Sequence, residues 1–223
     1  MPSKMREYES NDIVVHFDNK RCIHAGECVK RLPGVFERDR KPWVDPSQGT
    51  GDAVAEVVMQ CPTGALSFSR KDGGVEETAP ERNYMTVVAD GPIYARGDLE
   101  LHTPDGVSKH MRIALCRCGA AHNKPYCDNS HGDIGFRHDG NFVKQPATAE
   151  LGGPLEIHLR ENGPIQVIGN LQLESSDGSH AMLCSGQTWL CRCGHSENKP
   201  FCDGAHKQAG FEAAGEAPES RKT

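Results

Sequence analysis

Six of the chain's ten cysteines, with two histidines, spell the same ligand spacing twice. Cys116, Cys118, Cys127 and His131 form Cys-x-Cys-x8-Cys-x3-His, and Cys191, Cys193, Cys202 and His206 repeat it 75 residues later. Three thiolates and one imidazole suit zinc or an iron–sulfur cluster. The Cys-x-Cys pair favours the cluster. Two alternate residues can both ligate one iron of a binuclear centre, and Cys-x3-His can serve the second. Structural zinc sites more often use two to four residues between paired cysteines.

The surroundings of both copies predict a rigid loop. Asn-Lys-Pro and an aromatic residue precede the third cysteine, and Asp128 or Asp203 follows it. Each Asp is expected to cap a helix N-terminus, aiming N–H groups at an anionic centre. Asn129 and Gly204 stand where a left-handed backbone is tolerated. A third set is Cys22, Cys28 and Cys61, with Cys61-Pro62 placed 33 residues after Cys28. Cys184 stands outside the three sets and is expected to be a small core residue in a strand.

The positioning elements follow from periodicity and turn residues. The repeat extends upstream, where residues 90–101 answer 162–173, and downstream, where Gly135-Phe136 answers Gly210-Phe211. This is a duplicated domain. Residues 1–80 form one domain, 81–148 the first repeat and 149–223 the second, with 70–83 as a polar linker and a disordered tail from Ala213. Strands are expected at Asp12–Phe17 and Leu66–Ser69. The first repeat should add Met85–Ala89, Ile93–Ala95, Leu99–His102 and Met111–Leu115, punctuated at meander spacing. Their counterparts are Leu155–Arg160, Ile165–Ile168, Leu171–Glu174 and Gln187–Leu190. Asp52 is expected to cap a helix whose apolar face is Val54, Val57 and Val58.

Ile, Leu, Val and Phe make up only 41 of 223 residues. Small, loop-rich units with thin cores are expected, and such units need metals or disulfides as staples. No stretch is long and apolar enough to span a membrane. The N-terminus lacks the apolar segment of a secretory signal. A reducing cytoplasm is therefore expected, where cysteines point to metal rather than to disulfides. A net charge of −6 argues against sequence-general nucleic-acid binding.

The second repeat resembles the CDGSH iron–sulfur family at Cys191, Cys193, Ser196, Pro200, Cys202, Asp203, Gly204, Ala205 and His206. The first matches at its four ligands, Pro125, Asp128 and Ser130. It departs at Ala121, where the family has a hydroxyl, and at Asn129, where it has Gly. The resemblance implies one 2Fe–2S cluster per repeat and a tandem pair folded as one pseudo-twofold unit. Residues 12–69 resemble a divergent single-cluster bacterial-type ferredoxin, through the cysteine loop, Pro33-Gly34-Val35-Phe36, Trp43 and Cys61-Pro62. Ala25 stands where a middle cysteine would ligate the fourth iron. Three cysteines suffice for a 3Fe–4S cluster; a 4Fe–4S cluster would need His24 or water. The implied fold class is α+β, a ferredoxin-like α+β domain followed by two small β-rich domains.

The expected function is electron transfer through three clusters, with a redox partner protein. The alternatives are transfer of labile His-ligated clusters to an apo-acceptor, redox or pH sensing, or service as an enzyme subunit. No phosphate loop, Ser-His-Asp set or nucleotide pocket is recognisable, so no catalytic residue and no enzyme activity are expected. The chain is expected to act as a monomer without membrane or nucleic-acid partners. His102, His110, His122, His138, His158, His180 and His195 have no ligand spacing and are expected to be exposed. His16 is expected to be partly buried.

Overall fold

The structure is a computed structural model that describes residues 5–143 and 152–216. The chain divides into two compact units, Met1–Thr78 and Ala79–Thr223. Among the described residues no helix is long and apolar enough to cross a membrane.

The first unit is an antiparallel sheet in the order β1 (Arg6–Glu9), β2 (Ile13–Phe17), β3 (Leu66–Arg70). Ile13, Val15 and Phe17 alternate into the core, as a strand with one covered face requires. His16 points the other way and is half-buried. Two helices complete the unit, α1 (Glu27–Arg31) and α2 (Gly51–Met59). α2 buries Val54, Ala55, Val57 and Val58. Its cap is Thr50 rather than Asp52. Thr50 has the extended backbone of an N-cap, and its hydroxyl accepts from Ala53 N at 3.2 Å. Asp52 lies in the first turn and pairs with Arg70 at 2.8 Å. β1 and α1 had no expectation in the sequence.

The second unit contains β4 (Tyr84–Val87), β5 (Ile93–Thr103), β6 (Gly106–Leu115), β7 (Leu155–Leu159), β8 (Ile165–Ile168), β9 (Leu171–Ser175), β10 (Ala181–Cys184) and β11 (Gln187–Leu190). One turn of helix, α3 (Ser130–Asp133), lies between β6 and β7. The sheet runs β10-β9-β4-β5-β7-β8-β11, with β6 also paired to β5. It is not the expected succession of meanders. β4 pairs antiparallel with β5 of its own repeat and parallel with β9 of the other. β7 likewise pairs antiparallel with β8 and parallel with β5. The registers correspond: Tyr84 opposes Gln172, and Glu156 opposes Glu100. Each repeat lends its first strand to the other.

Pooling follows from this exchange. Met85, Leu99, Leu101 and Ile113 share one core with Leu155, Ile157, Val167 and Leu173. The thin cores expected from composition become a single thicker one. Cys184 belongs to it, on β10. The two strands expected at Ile93–Ala95 and Leu99–His102 are one long strand, with an irregularity between Arg96 and Leu99. Gly97 sits in it, and a Cβ there would meet Asn83 Oδ1 at 2.1 Å.

Asn83, assigned to the linker from its polar neighbourhood, is only 1% exposed. Its Nδ2 donates to Gly153 O (2.9 Å) and Asn170 O (3.0 Å), and its Oδ1 accepts from Asp98 N (3.1 Å). It fastens the two repeats at the exchange. The tail expected from Ala213 is ordered through Glu216, which bonds Leu159 and Glu161 through its backbone. The remainder, 217–223, lies outside the described residues.

Asn83→Ala removes three buried bonds and leaves two carbonyls and one N–H without partners. It should cost about 3 kcal/mol of stability, read as a lower denaturation midpoint with the m-value unchanged. A cost below about 0.5 kcal/mol would show that water replaces the amide.

Candidate metal centres

Local structure delivers the ligands of each repeat in two pairs. β6 and β11 end immediately before their Cys-Arg-Cys segments. The loop after each segment turns back and is pinned beside the strand end. Cys116 N donates to Pro125 O and Cys191 N to Pro200 O, both at 2.8 Å. Cys127 N donates to Ala114 O and Cys202 N to Trp189 O, both at 2.9 Å.

Within each pair the donors suit one metal ion. Cys116 Sγ and Cys118 Sγ are 3.7 Å apart, as are Cys191 Sγ and Cys193 Sγ. Cys127 Sγ lies 3.5 Å from His131 Nδ1, and Cys202 Sγ lies 3.5 Å from His206 Nδ1. Tetrahedral bonds of ~2.3 Å to sulfur and ~2.05 Å to nitrogen give separations of about 3.7 and 3.5 Å. Among the described residues, no three of these donors lie within 4.8 Å of one another. A single zinc ion would need all four closer than that. The geometry fits two adjacent metal ions, one held by the cysteine pair and one by the Cys-His pair.

The electrostatics favour the neutral thiol at Cys118, Cys127, Cys193 and Cys202, and the thiolate at Cys116. Burial pushes the Cys127 thiol up to about 11, Cys193 up to about 11, and Cys202 upward. Cys118 donates to Cys116 and draws that thiol down to about 6, and the same contact holds Cys118 itself high. Backbone N–H groups turn toward the sulfurs: Asn129 N to Cys127 and His195 N to Cys193, each at 3.4 Å. Burial lowers His131 and His206 below the usual 6.5, which favours the neutral, ligating imidazole.

Two arginines had no assignment from sequence. Arg117 and Arg192 stand between the paired cysteines and are 2% and 3% exposed. Arg117 donates to Gly91 O and Val88 O and lies over the Phe136 ring. Arg192 donates to Gly163 O, Arg160 O and Ala214 O and lies over Phe211. Burial lowers both to about 10. Each feels a thiol of the other repeat, Cys191 for Arg117 and Cys116 for Arg192. The identical Cys-Arg-Cys in both copies was the available signal.

The two sites adjoin. Cys118 and Cys193 form an antiparallel bridge. Gly119 and Gly194 flank it with φ of 84° and 85°, and a Cβ on either would meet the facing cysteine carbonyl at 2.5 Å. Only glycine permits this approach.

The expected helix caps are absent. Asn129 precedes α3 with φ 73°, and Asp128 instead accepts from Ser130 N and from His122 N. Asp203 makes the equivalent bonds to Ala205 N and Glu197 N with no helix behind it. Ser196 Oγ donates to Phe201 O (2.7 Å) and accepts from Asn198 N (3.0 Å). It ties the ligand loop to itself rather than bonding a sulfur. Ala121 has no such hydroxyl. Of the histidines expected to be exposed, only His122 and His195 are; the other five are half-buried.

Cys22, Cys28 and Cys61 line one cavity of about 380 Å³ with Phe17, Ala25 and Arg38. No three donors here converge within 4.8 Å, so no single ion is held by all three; three thiols around one cavity are the donor chemistry of a multi-metal cluster with a thiolate per corner. Burial raises Cys22 and Cys28, opposed by backbone N–H donors at His24 and Val29. His24 is exposed at the cavity wall, with φ 54°.

Ser196→Ala should destabilise the second ligand loop by about 1–2 kcal/mol. Ala121→Ser should stiffen the first by a comparable amount. Amide hydrogen exchange across 119–127 and 194–202 reads both; unchanged protection in both variants would remove the hydroxyl from the account.

Comparison with known proteins agrees with this geometry. Residues 8–71 match the family model described as "Divergent 4Fe-4S mono-cluster". Residues 90–132 and 162–207 match "Iron-binding zinc finger CDGSH type". The N-terminal region is 36% identical over 66 residues to the uncharacterized protein YjdI of Escherichia coli K12, covering 30% of this chain and 87% of YjdI. YjdI of Escherichia coli O157:H7 matches with the same figures. The chain belongs to the CDGSH iron–sulfur family, as a tandem pair of its domains behind a divergent 4Fe-4S mono-cluster domain.

Proposed function

We propose that this iron–sulfur protein is an electron carrier with two Cys3His 2Fe–2S clusters and one cluster at Cys22, Cys28 and Cys61. The bridge between Cys118 and Cys193 carries the reading, since it sets two buried cysteine pairs side by side. Bound clusters would supply one-electron chemistry. The chain's part is to exclude water, to aim N–H groups at the sulfurs and to oppose the cluster charge with Arg117 and Arg192. A redox partner protein would meet the half-buried His131 and His206 side of the sites. A reducing compartment suits the free thiols.

Ala25 leaves the N-terminal site with three thiols. A 3Fe–4S core needs no more, and the absence of a fourth cysteine favours it. The matched family's description favours a 4Fe–4S core, in which His24 or water would serve the fourth iron.

Cluster transfer to an apo-acceptor is the second reading, favoured by one imidazole in each Cys3His set. Mixing the loaded protein with an apo-ferredoxin and following the visible absorbance separates the two. Retention through reduction and reoxidation supports the carrier.

Anaerobically expressed protein should contain two 2Fe–2S clusters and one larger cluster, counted as iron and labile sulfide. Low-temperature EPR of the oxidised protein should show the signal of a 3Fe–4S centre; a silent spectrum would assign 4Fe–4S. Stoichiometric zinc without sulfide would overturn the reading.

Acid should act first on the repeats. A histidine whose folded pKa lies below its unfolded value contributes stability above the unfolded value. That contribution is lost as pH falls through the unfolded and then the folded pKa. His131 and His206 are lowered from 6.5, so the window opens near pH 6.5 and extends below it. Visible absorbance from the repeats should decay there, and His131→Cys or His206→Cys should slow the decay at its own site. Equal decay in all three proteins would exclude the imidazoles as the labile ligands.

A further inference from the structure

The parallel strands that join the repeats carry a second group of ligating side chains. Glu100 opposes Glu156 and His102 opposes His158 across β5 and β7. The His102 and His158 rings stack, with centroids 4.0 Å apart and planes at 25°. His158 Nδ1 lies 2.7 Å from Glu216 Oε2, and His158 Nε2 lies 2.9 Å from Glu156 Oε2. His102 Nδ1 is 3.9 Å from Glu216 Oε1, and His102 Nε2 is buried with no hydrogen-bond partner. One donor atom from each of His102, Glu156 and His158 lies within 4.8 Å of the other two. No other such trio of His, Cys, Asp or Glu occurs among the described residues.

This arrangement is incomplete without a cation. A carboxylate only accepts, and a neutral imidazole carries one N–H. Both ring nitrogens of His158 face carboxylate oxygens. One contact therefore sets a lone pair against an anion unless a second proton or a metal ion lies between them. Glu216, on Nδ1 of His158, is placed as the outer carboxylate that fixes the tautomer of a metal-bound histidine. The nearby cations are already engaged: Arg160 with Glu216 and Gln166, and Lys109 with Glu100.

The repeat symmetry supplies an internal control. At the equivalent crossing, Thr86 opposes Glu174 and Tyr84 opposes Gln172. There Thr86 Oγ1 donates to Glu174 (2.9 Å), Gln172 Nε2 donates to Glu174 (3.1 Å), and Arg82 donates to Gln172 (2.6 Å). The same backbone closes with ordinary hydrogen bonds and no imidazole. The sheet does not require the histidine pair.

We propose that His102, Glu156 and His158 bind one divalent transition-metal ion of the Zn(II) or Fe(II) class, with Glu216 orienting His158. Two imidazoles and a carboxylate are a donor set for such ions and not for Mg(II) or Ca(II). The ion would fasten β5 of one repeat to β7 of the other, apart from the cysteine sites.

The test uses the full chain as purified, stripped of loose metal with a mild chelator, then titrated anaerobically with Zn(II). Wild type should retain one zinc per chain with iron and sulfide unchanged. His102→Gln and Glu156→Gln should each weaken zinc binding at least tenfold, and Glu216→Gln by about 10–100-fold. Ring nitrogen resonances of His102 and His158 should shift on zinc addition to wild type, a readout that needs no variant. No retained zinc in wild type, undiminished binding in all three variants, or unmoved ring resonances would overturn the site.

Discussion

The approach of two cysteine-bearing backbones at Cys118 and Cys193 is the constraint on which the second unit depends. It forces glycine at 119 and 194, because any side chain there would strike the facing carbonyl. It brings two sets of buried thiols together, and so demands buried positive charge. Arg117 and Arg192 answer that demand from within the same segments, each held by backbone carbonyls and an aromatic face. A buried guanidinium is tolerated only when hydrogen-bonded and facing negative charge. Metal loading would convert the raised thiols of Cys118, Cys127, Cys193 and Cys202 into that charge. The arginines and the ligands are therefore one electrostatic unit, and neither half is stable in the interior alone.

Strand exchange lets so little apolar sequence support that interior. Each repeat contributes only part of the apolar side chains that line the shared core. Sharing β4 and β7 merges the two sets, so Leu99 and Leu155 or Met85 and Leu173 become neighbours. The polar fasteners sit at the same crossings. Asn83 secures one, and the His102, His158 and Glu216 cluster occupies the other.

What was legible in the sequence was whatever repeats or alternates. The ligand spacing, the duplication, most strands and the half-buried face of His16 follow from local pattern. The parallel pairings were not legible, because nothing local in Tyr84–Val87 says that its second neighbour lies in the other repeat. The His102–His158 contact was hidden for the same reason: its members are distant in sequence and meet only through register. Asn83 was misread because a polar residue between polar residues looks solvated until the carbonyls it serves are known. The caps at Asp128 and Asp203 failed because each carboxylate closes a tight turn around the left-handed residue that follows it, and in the first repeat that residue, Asn129, takes the N-cap position. The partner of Ser196 was not legible either, since its hydroxyl closes on Phe201 O and Asn198 N of its own loop.

The exchange also bears on the order in which the protein can be made. Thr86 and Glu174, which face each other across β4 and β9, are 88 residues apart in the chain. At ribosomal rates of roughly 5–20 residues per second, β4 waits about 4–18 s for its second neighbour. During that interval one edge of β4 is unpaired and the first repeat's apolar face is uncovered. The thiols of Cys116 and Cys118 emerge in the same interval, before the facing glycine and arginine of the second repeat exist. The nascent chain is thus most open to metal delivery, and most exposed to mispairing, between synthesis of the first and second ligand loops.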